Sequence, residues 1–162
     1  MKSIQIEKFG GPEVLVIKDM DIGKPGPKEV LIKNKSIGLN FIDVYHRTGL
    51  YPIPLPSGIG LEASGVIEEI GSEVKLFKVG DRVTHASMPI GAYSEKQIMP
   101  EEKLISVPDG ISDEVASCIT LKGITAEYLL HRAYPLKKGD KVLYHAAAAV
   151  SYTHLRAHET AL

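Results

Sequence analysis

Cysteine is nearly missing from this chain. A single Cys118 in 162 residues leaves no partner for an internal disulfide and suits a reducing compartment, so the expected setting is cytoplasmic. It lies in the apolar stretch Val115-Ala116-Ser117-Cys118-Ile119, where a thiol is expected to serve as a small buried core residue. Long apolar runs are missing as well, since none approaches the roughly 20 residues that a membrane-spanning helix needs. The amino terminus, Met1-Lys2-Ser3-Ile4-Gln5-Ile6-Glu7, alternates and carries charge, which argues against a secretory signal peptide. An excess of charge of one sign is absent too. A formal net charge of −1 gives no electrostatic reason to expect nucleic acid or an anionic membrane as a partner. Internal repeats and low-complexity segments are not found.

What is present is globular in character. Hydrophobic residues make up 44% and charged residues 24%, enough to build a packed core. Up to about residue 110 the chain reads as short strands separated by turns. Ile4 and Ile6 alternate with polar neighbours, Gly10-Gly11-Pro12 breaks the run, and Val14-Leu15-Val16-Ile17 resumes it. Further strands are expected at Glu29 to Lys35, Gly65 to Gly71, Asp81 to Thr84, Gly91 to Ser94 and Leu104 to Pro108. Many short strands at this spacing argue for a sandwich or barrel. After Pro108, Ser112-Asp113-Glu114 signals a helix start. Apolar residues at Val115, Ile119, Ile124 and Leu129-Leu130 then suit helical segments interrupted at Gly123. Lys137-Lys138-Gly139-Asp140 makes a turn before a last strand from Lys141 to Tyr144. The order of strands, helix and strand describes a mainly β body with the start of an α/β unit.

An ordered set of motifs runs almost unbroken from Met1 to Ala148. It includes Gly10-Gly11-Pro12-Glu13-Val14-Leu15, Gly38-Leu39-Asn40-Phe41-Ile42-Asp43-Val44-Tyr45, Gly49-Leu50-Tyr51-Pro52, Pro56 to Val66, Val79-Gly80-Asp81-Arg82-Val83 and Gly91-Ala92-Tyr93. On these residues the chain resembles the zeta-crystallin-like quinone oxidoreductase branch of the medium-chain dehydrogenase/reductase family. The resemblance implies a GroES-like β-barrel catalytic domain over residues 1–124. It implies the first helix and strand of a truncated Rossmann domain over 125–149. It also implies NADPH as cofactor, a small-molecule quinone as substrate and a homodimeric parent enzyme.

Zinc-dependent members of that family place ligands where this chain has Asn40, Leu61 and Leu121, and a relay hydroxyl where it has Ile42. Leucine cannot coordinate a metal and catalytic zinc takes three protein ligands, so no metal site is expected. The histidines do not supply one: His46, His85, His131 and His145 are scattered, and His154 and His158 lie near the carboxyl end. Hydride addition to a simple ketone leaves a basic alkoxide that zinc stabilises. Hydride addition to a quinone leaves a delocalised hydroquinone anion, for which hydrogen-bond donors can suffice.

The same resemblance implies Asn40, Tyr45 and Tyr51 as catalytic residues, with Tyr51 lining the quinone pocket. It implies Asn40, Phe41, Ile42, Asp43, Val44, Tyr45, Thr125 and Tyr128 as cofactor-binding residues. Each has a plainer reading. Asn40 can tie a turn through its amide. Phe41 and Ile42 suit packing, with only their backbone near cofactor. Tyr51, ahead of Pro52-Ile53-Pro54, can anchor a loop. Asp43 and Glu62 can be solvated or salt-bridged, although a buried structural role is expected for Glu62. Two rival functions stay open. One is NADPH-dependent reduction of an enone or crotonyl-type substrate on the same scaffold. The other is a standalone GroES-like module without redox activity.

A Rossmann strand should lead into a glycine-rich loop, since glycine lets backbone approach a pyrophosphate. Here Ala149-Val150-Ser151-Tyr152-Thr153-His154-Leu155-Arg156-Ala157-His158-Glu159-Thr160 follows, without glycine. That string resembles one reading frame of a widely used transposase sequencing adapter. Residues 150–162 are therefore expected to be a cloning or assembly scar. The chain is then the front part of a larger enzyme, expected to be poorly folded and inactive by itself.

Overall fold

A computed structural model gives the fold and describes residues 1–141 and 143. Half of the expected last strand, residues 142 and 144, falls outside the described residues, and the glycine-free turn and the 150–162 tail wholly so. The chain divides into two compact units, Met1–Cys118 and a second beginning at Ile119.

The first unit carries two antiparallel sheets. One has the order β2-β1-β4, built from β1 (Lys2–Ile6), β2 (Val16–Asp19) and β4 (Ser57–Gly58). The other has the order β7-β3-β5-β6-β8. Its strands are β3 (Glu29–Gly38), β5 (Glu62–Ile70), β6 (Arg82–Ala86), β7 (Lys96–Pro100) and β8 (Ile105–Ser106). The sheets meet along residues 93–95, where Ile4 N–H donates to the Tyr93 carbonyl at 2.8 Å and Ser3 bridges Ser94. A core of Val30, Ile32, Ile67, Val83, Met99 and Leu104 lies against the larger sheet. Ile6, Val14 and Ile59 form a second core with Tyr93 and Leu15. Burying such side chains is the main favourable term in folding.

β3 and β5 pair in register from Val30↔Ile70 to Gly38↔Glu62, with irregularities between Leu31 and Ile32 and between Asn34 and Ser36. Each such bulge adds a residue to one strand and interrupts the period-2 pattern. α1 (Phe41–Thr48) follows β3 directly, in a stretch expected to hold only strands and turns. The expected strand at Gly91 to Ser94 is not one. The Ser94 hydroxyl turns back to the Gly91 carbonyl at 2.7 Å and to the Lys96 carbonyl at 2.8 Å, a local alternative to ladder pairing. The strand forms just beyond, as β7. Val14 sits in a 3₁₀ turn, Pro12–Val14, begun by a proline whose fixed φ suits a helical first position.

α2 (Asp113–Glu127) starts where the Ser-Asp-Glu signal places it, with Val115 N–H donating to Ser112 Oγ at 3.3 Å. Its first turn is tied to the larger sheet: Ser64 Oγ donates to Asp113 Oδ1 at 2.9 Å, and Arg82 Nη2 lies 3.2 Å from the same oxygen. Two expectations fail on this helix. Cys118 is exposed, because Ala116 and Ser117 take the buried positions of its turn. Gly123 does not interrupt the helix, since glycine costs only about 1 kcal/mol there relative to alanine. In the second unit, a π-helical turn, Tyr128–Ala133, continues the chain, and Ala126 and Leu130 pack with Leu136. Among the described residues no helix is long and apolar enough to cross a membrane.

Candidate functional site

The site is built around the start of α1. Asn40 stands just before the helix in extended conformation, with φ −132° and ψ 151°, the geometry of an N-cap. Its backbone N–H donates to Asp43 Oδ2 at 2.9 Å, within a capping box formed by these two residues. At the far end Gly49 adopts φ 82° and returns its N–H to the His46 carbonyl at 3.3 Å. A left-handed glycine closes a helix without the steric penalty of a side chain.

α1 is inverted relative to an ordinary surface helix. Asp43 and His46 are 4% and 7% exposed, whereas Phe41 is 72% exposed. Phe41 and Tyr45, four residues apart and so on one face, meet edge to face with ring centroids 5.4 Å apart. Tyr51 adds a third ring, 5.2 Å from Tyr45. It is held there by its own backbone N–H, which donates to the Tyr45 carbonyl at 3.2 Å. The packing role expected for Phe41 is therefore corrected: beyond Tyr45, its ring faces solvent. The three rings form a ladder on the surface beside Asn40.

Beneath the ladder lies a polar cluster. Asp43 Oδ2 accepts a second hydrogen bond, from Tyr93 Oη at 2.8 Å. Asp43 Oδ1 is buried without a partner, as is His46 Nδ1. Burial raises the pKa of Asp43 above the usual carboxylate value. Hydrogen bonds from Asn40 and Tyr93 and the charge of His46 oppose that rise, while Glu62 adds to it. Burial also raises the Tyr93 phenol, and the charge of Asp43 and its hydrogen bond raise it further. On the other side, Asn40 Nδ2 donates to Glu62 Oε2 at 2.8 Å. Glu62 is 0% exposed, so the solvated reading fails for both acids and the expected burial of Glu62 holds. One of the two Nδ2 hydrogens is thereby used, and among the described residues the other has no partner. His85, on β6, is fully buried with both ring nitrogens unpartnered. Burial lowers its pKa to about 4, with the Leu61 backbone opposing in part.

The structure thus brings Asn40, Phe41, Asp43, Tyr45 and Tyr51 together, while Ile42 and Val44 sit half-buried on the same helix. Leu61 is buried. Thr125 and Tyr128 belong to the second unit. There the Thr125 hydroxyl donates to the Leu121 carbonyl of its own helix at 2.8 Å, and Tyr128 is exposed. Tyr93 and His46 were missed as members of the cluster. The available signal was Asp43 itself, since a buried acid requires donors. Chemically, aromatic rings set edge to face beside an amide donor offer a face and an edge to a planar ring bearing oxygen or carboxamide groups. The donor set therefore suits a nicotinamide ring or a quinone.

Comparison with known proteins agrees with that chemistry. A quinone oxidoreductase of Pseudomonas aeruginosa is 55% identical over 148 residues, covering 91% of this chain and 46% of that protein. A 2-haloacrylate reductase of a Burkholderia species is 47% identical over 150 residues, covering 88% of this chain and 45% of that protein. The crystal structure of Escherichia coli quinone oxidoreductase complexed with NADPH matches with a TM-score of 0.95 at 42% identity, over 100% of this chain and 50% of that one. The chain therefore spans about half the length of the relatives it matches. The alcohol dehydrogenase GroES-like domain matches over residues 26–138, and with the two-sheet fold and the capped helix in place, the chain belongs to that family.

Proposed function

We propose that this chain serves NADPH-dependent reduction of a quinone without a metal. The observation that carries the reading is the ladder of Phe41, Tyr45 and Tyr51, its two end rings exposed, beside Asn40, whose second amide hydrogen has no partner among the described residues. NADPH, when bound, supplies a hydride. The segment from Asn40 to Tyr45 would hold its nicotinamide end, and Tyr51 would line the quinone pocket. The rings exclude water and offer faces for stacking. The Asn40 amide and the Tyr45 and Tyr51 hydroxyls are donors for the oxygen on which charge develops. Because a hydroquinone anion spreads its charge over an aromatic ring, such donors replace the Lewis acid that an alkoxide would need. Leu61 stands where the zinc-dependent relatives carry a ligand. A homodimer in the cytoplasm completes the proposal.

The test is NADPH oxidation by a hybrid in which residues 1–148 replace the matching part of the Pseudomonas aeruginosa relative, beside the 162-residue chain alone. Quinone-dependent turnover by the hybrid and none by the chain alone is expected. The Burkholderia relative makes an activated alkene the competitor to measure against. Turnover of an α,β-unsaturated ketone without turnover of a quinone would replace the quinone reading, and turnover of neither would end it.

A further inference from the structure

The Glu62 carboxylate reaches Asn40 by an unusual route. Glu62 and Gly38 are cross-strand partners, and Asn40 lies two residues beyond Gly38. A Cβ placed on Gly38 would lie 2.6 Å from Glu62 Oε2 and would also overlap the Ser117 carbonyl. Gly38 is therefore the opening through which the carboxylate crosses β3 to meet Asn40 Nδ2 at 2.8 Å. Asn40 has a short, rotatable side chain at an extended backbone position, where several rotamers are open. The bond to a fully buried carboxylate selects one of them. Full burial of an acid is costly and adds little net stability where an apolar side chain would fit. Its use here is to fix a direction.

We propose that Glu62 is a positioning residue, aiming the free Nδ2 hydrogen of Asn40 at bound NADPH. The proposal rests on the reading of Asn40 as a cofactor residue. Glu62 itself touches no ligand and acts on the cofactor through the Asn40 amide. Removing the carboxylate would let the Asn40 side chain rotate and spread its donor over several directions, so binding would lose the preorganised bond.

The decisive experiment takes the ¹⁵N-labelled hybrid as its parent chain, following the paired side-chain amide signals of Asn40, assigned by their loss in Asn40→Ala, during titration with NADPH. One hydrogen is expected to keep the downfield position of its bond to Glu62, while the other shifts on NADPH addition. Glu62→Leu, an apolar replacement chosen to preserve the fold, should abolish the inequivalence and weaken NADPH binding about five- to tenfold. Glu62→Gln, which keeps an acceptor, should restore both to within about twofold of the parent chain. In the double variant with Asn40→Ala, Glu62→Leu should add no further loss. No NADPH-dependent shift in the parent chain overturns the proposal. A Glu62→Leu protein that melts lower yet keeps the shift and the affinity does so as well, making Glu62 structural only. Quinone turnover by the hybrid is read separately. Its absence with the amide shift intact removes the quinone reading and leaves Glu62 in place, and its presence without the shift does the reverse.

Discussion

Val30, Ile32, Ile67, Val83 and Met99 fill the space against the five-stranded sheet, while the inner face of α1 buries Asp43 and His46, with Tyr93 donating to Asp43 and Asn40 bonded to Glu62 at its start. The first region gains free energy with each apolar atom it buries. The second spends some of it, leaving Asp43 Oδ1 and His46 Nδ1 without partners, at an order of 1–3 kcal/mol for each unsatisfied group. It also turns Phe41 outward. A helix that buries an aspartate and a histidine and exposes a phenylalanine is shaped by what it presents, and the sheet supplies the stability that lets it do so.

Five substitutions probe that contrast. The largest effect is expected inside the sheet: Ile67→Ala should cost about 2–5 kcal/mol in urea unfolding. A loss well below 2 kcal/mol would mean that the sheet core is not the main store of stability. His85→Leu tests the sheet's one buried imidazole. Its folded pKa is about 4 against 6.5 ordinarily, so the unfolded chain takes up a proton first as pH falls. The parent chain should lose stability from about pH 6.5 down to about 4, by about 3 kcal/mol in all. His85→Leu should flatten that slope, and an unchanged slope would show that another group carries it.

Beneath α1 the sign reverses. The Asp43 pKa is raised by burial, so the folded state keeps a proton that the unfolded state has released. Asp43 therefore withdraws stability as pH rises through that window. Asp43→Asn should remove this loss, and Tyr93→Phe, which deletes a donor to Asp43 Oδ2, should cost about 1–2 kcal/mol near neutral pH. Comparing the two urea titrations across pH separates the hydrogen bond from the charge. The smallest change in stability is expected on the outer face: Phe41→Ala should stay within about 0.5 kcal/mol. If the ladder serves a ligand, the same variant should still weaken NADPH binding in a fluorescence titration. A large stability loss with unchanged binding would make Phe41 ordinary packing.

The strands around Val30 to Ile32, Ile67 and Val83 were legible as short apolar, β-branched runs set off by turn residues. The register shifts between Leu31 and Ile32 and between Asn34 and Ser36 were not legible, because no residue marks them. α1 was illegible for a different reason. It has eight residues, and it buries Asp43 and His46 while Phe41 points outward, so a search for a buried apolar stripe passes over it. Only its caps, Asn40 with Asp43 and Gly49, spelled it out. Asn40, Tyr45 and Tyr51 came from family resemblance. Glu62 joins Asn40 from 22 positions away and Tyr93 joins Asp43 from 50, a convergence that only the fold produces. Cys118 shows the limit of composition: an apolar stretch on a helix still has an outer side.

The ring ladder also has an optical consequence. The chain contains seven tyrosines and no tryptophan, so tyrosine alone provides its near-ultraviolet emission, and two of those tyrosines stand edge to face at 5.2 Å. Rings held at a fixed angle couple their transitions and give a circular dichroism band that free tyrosine lacks. A planar ligand seated against them changes that band and quenches their light. The surface that would receive the ligand is therefore its own reporter, readable without a label.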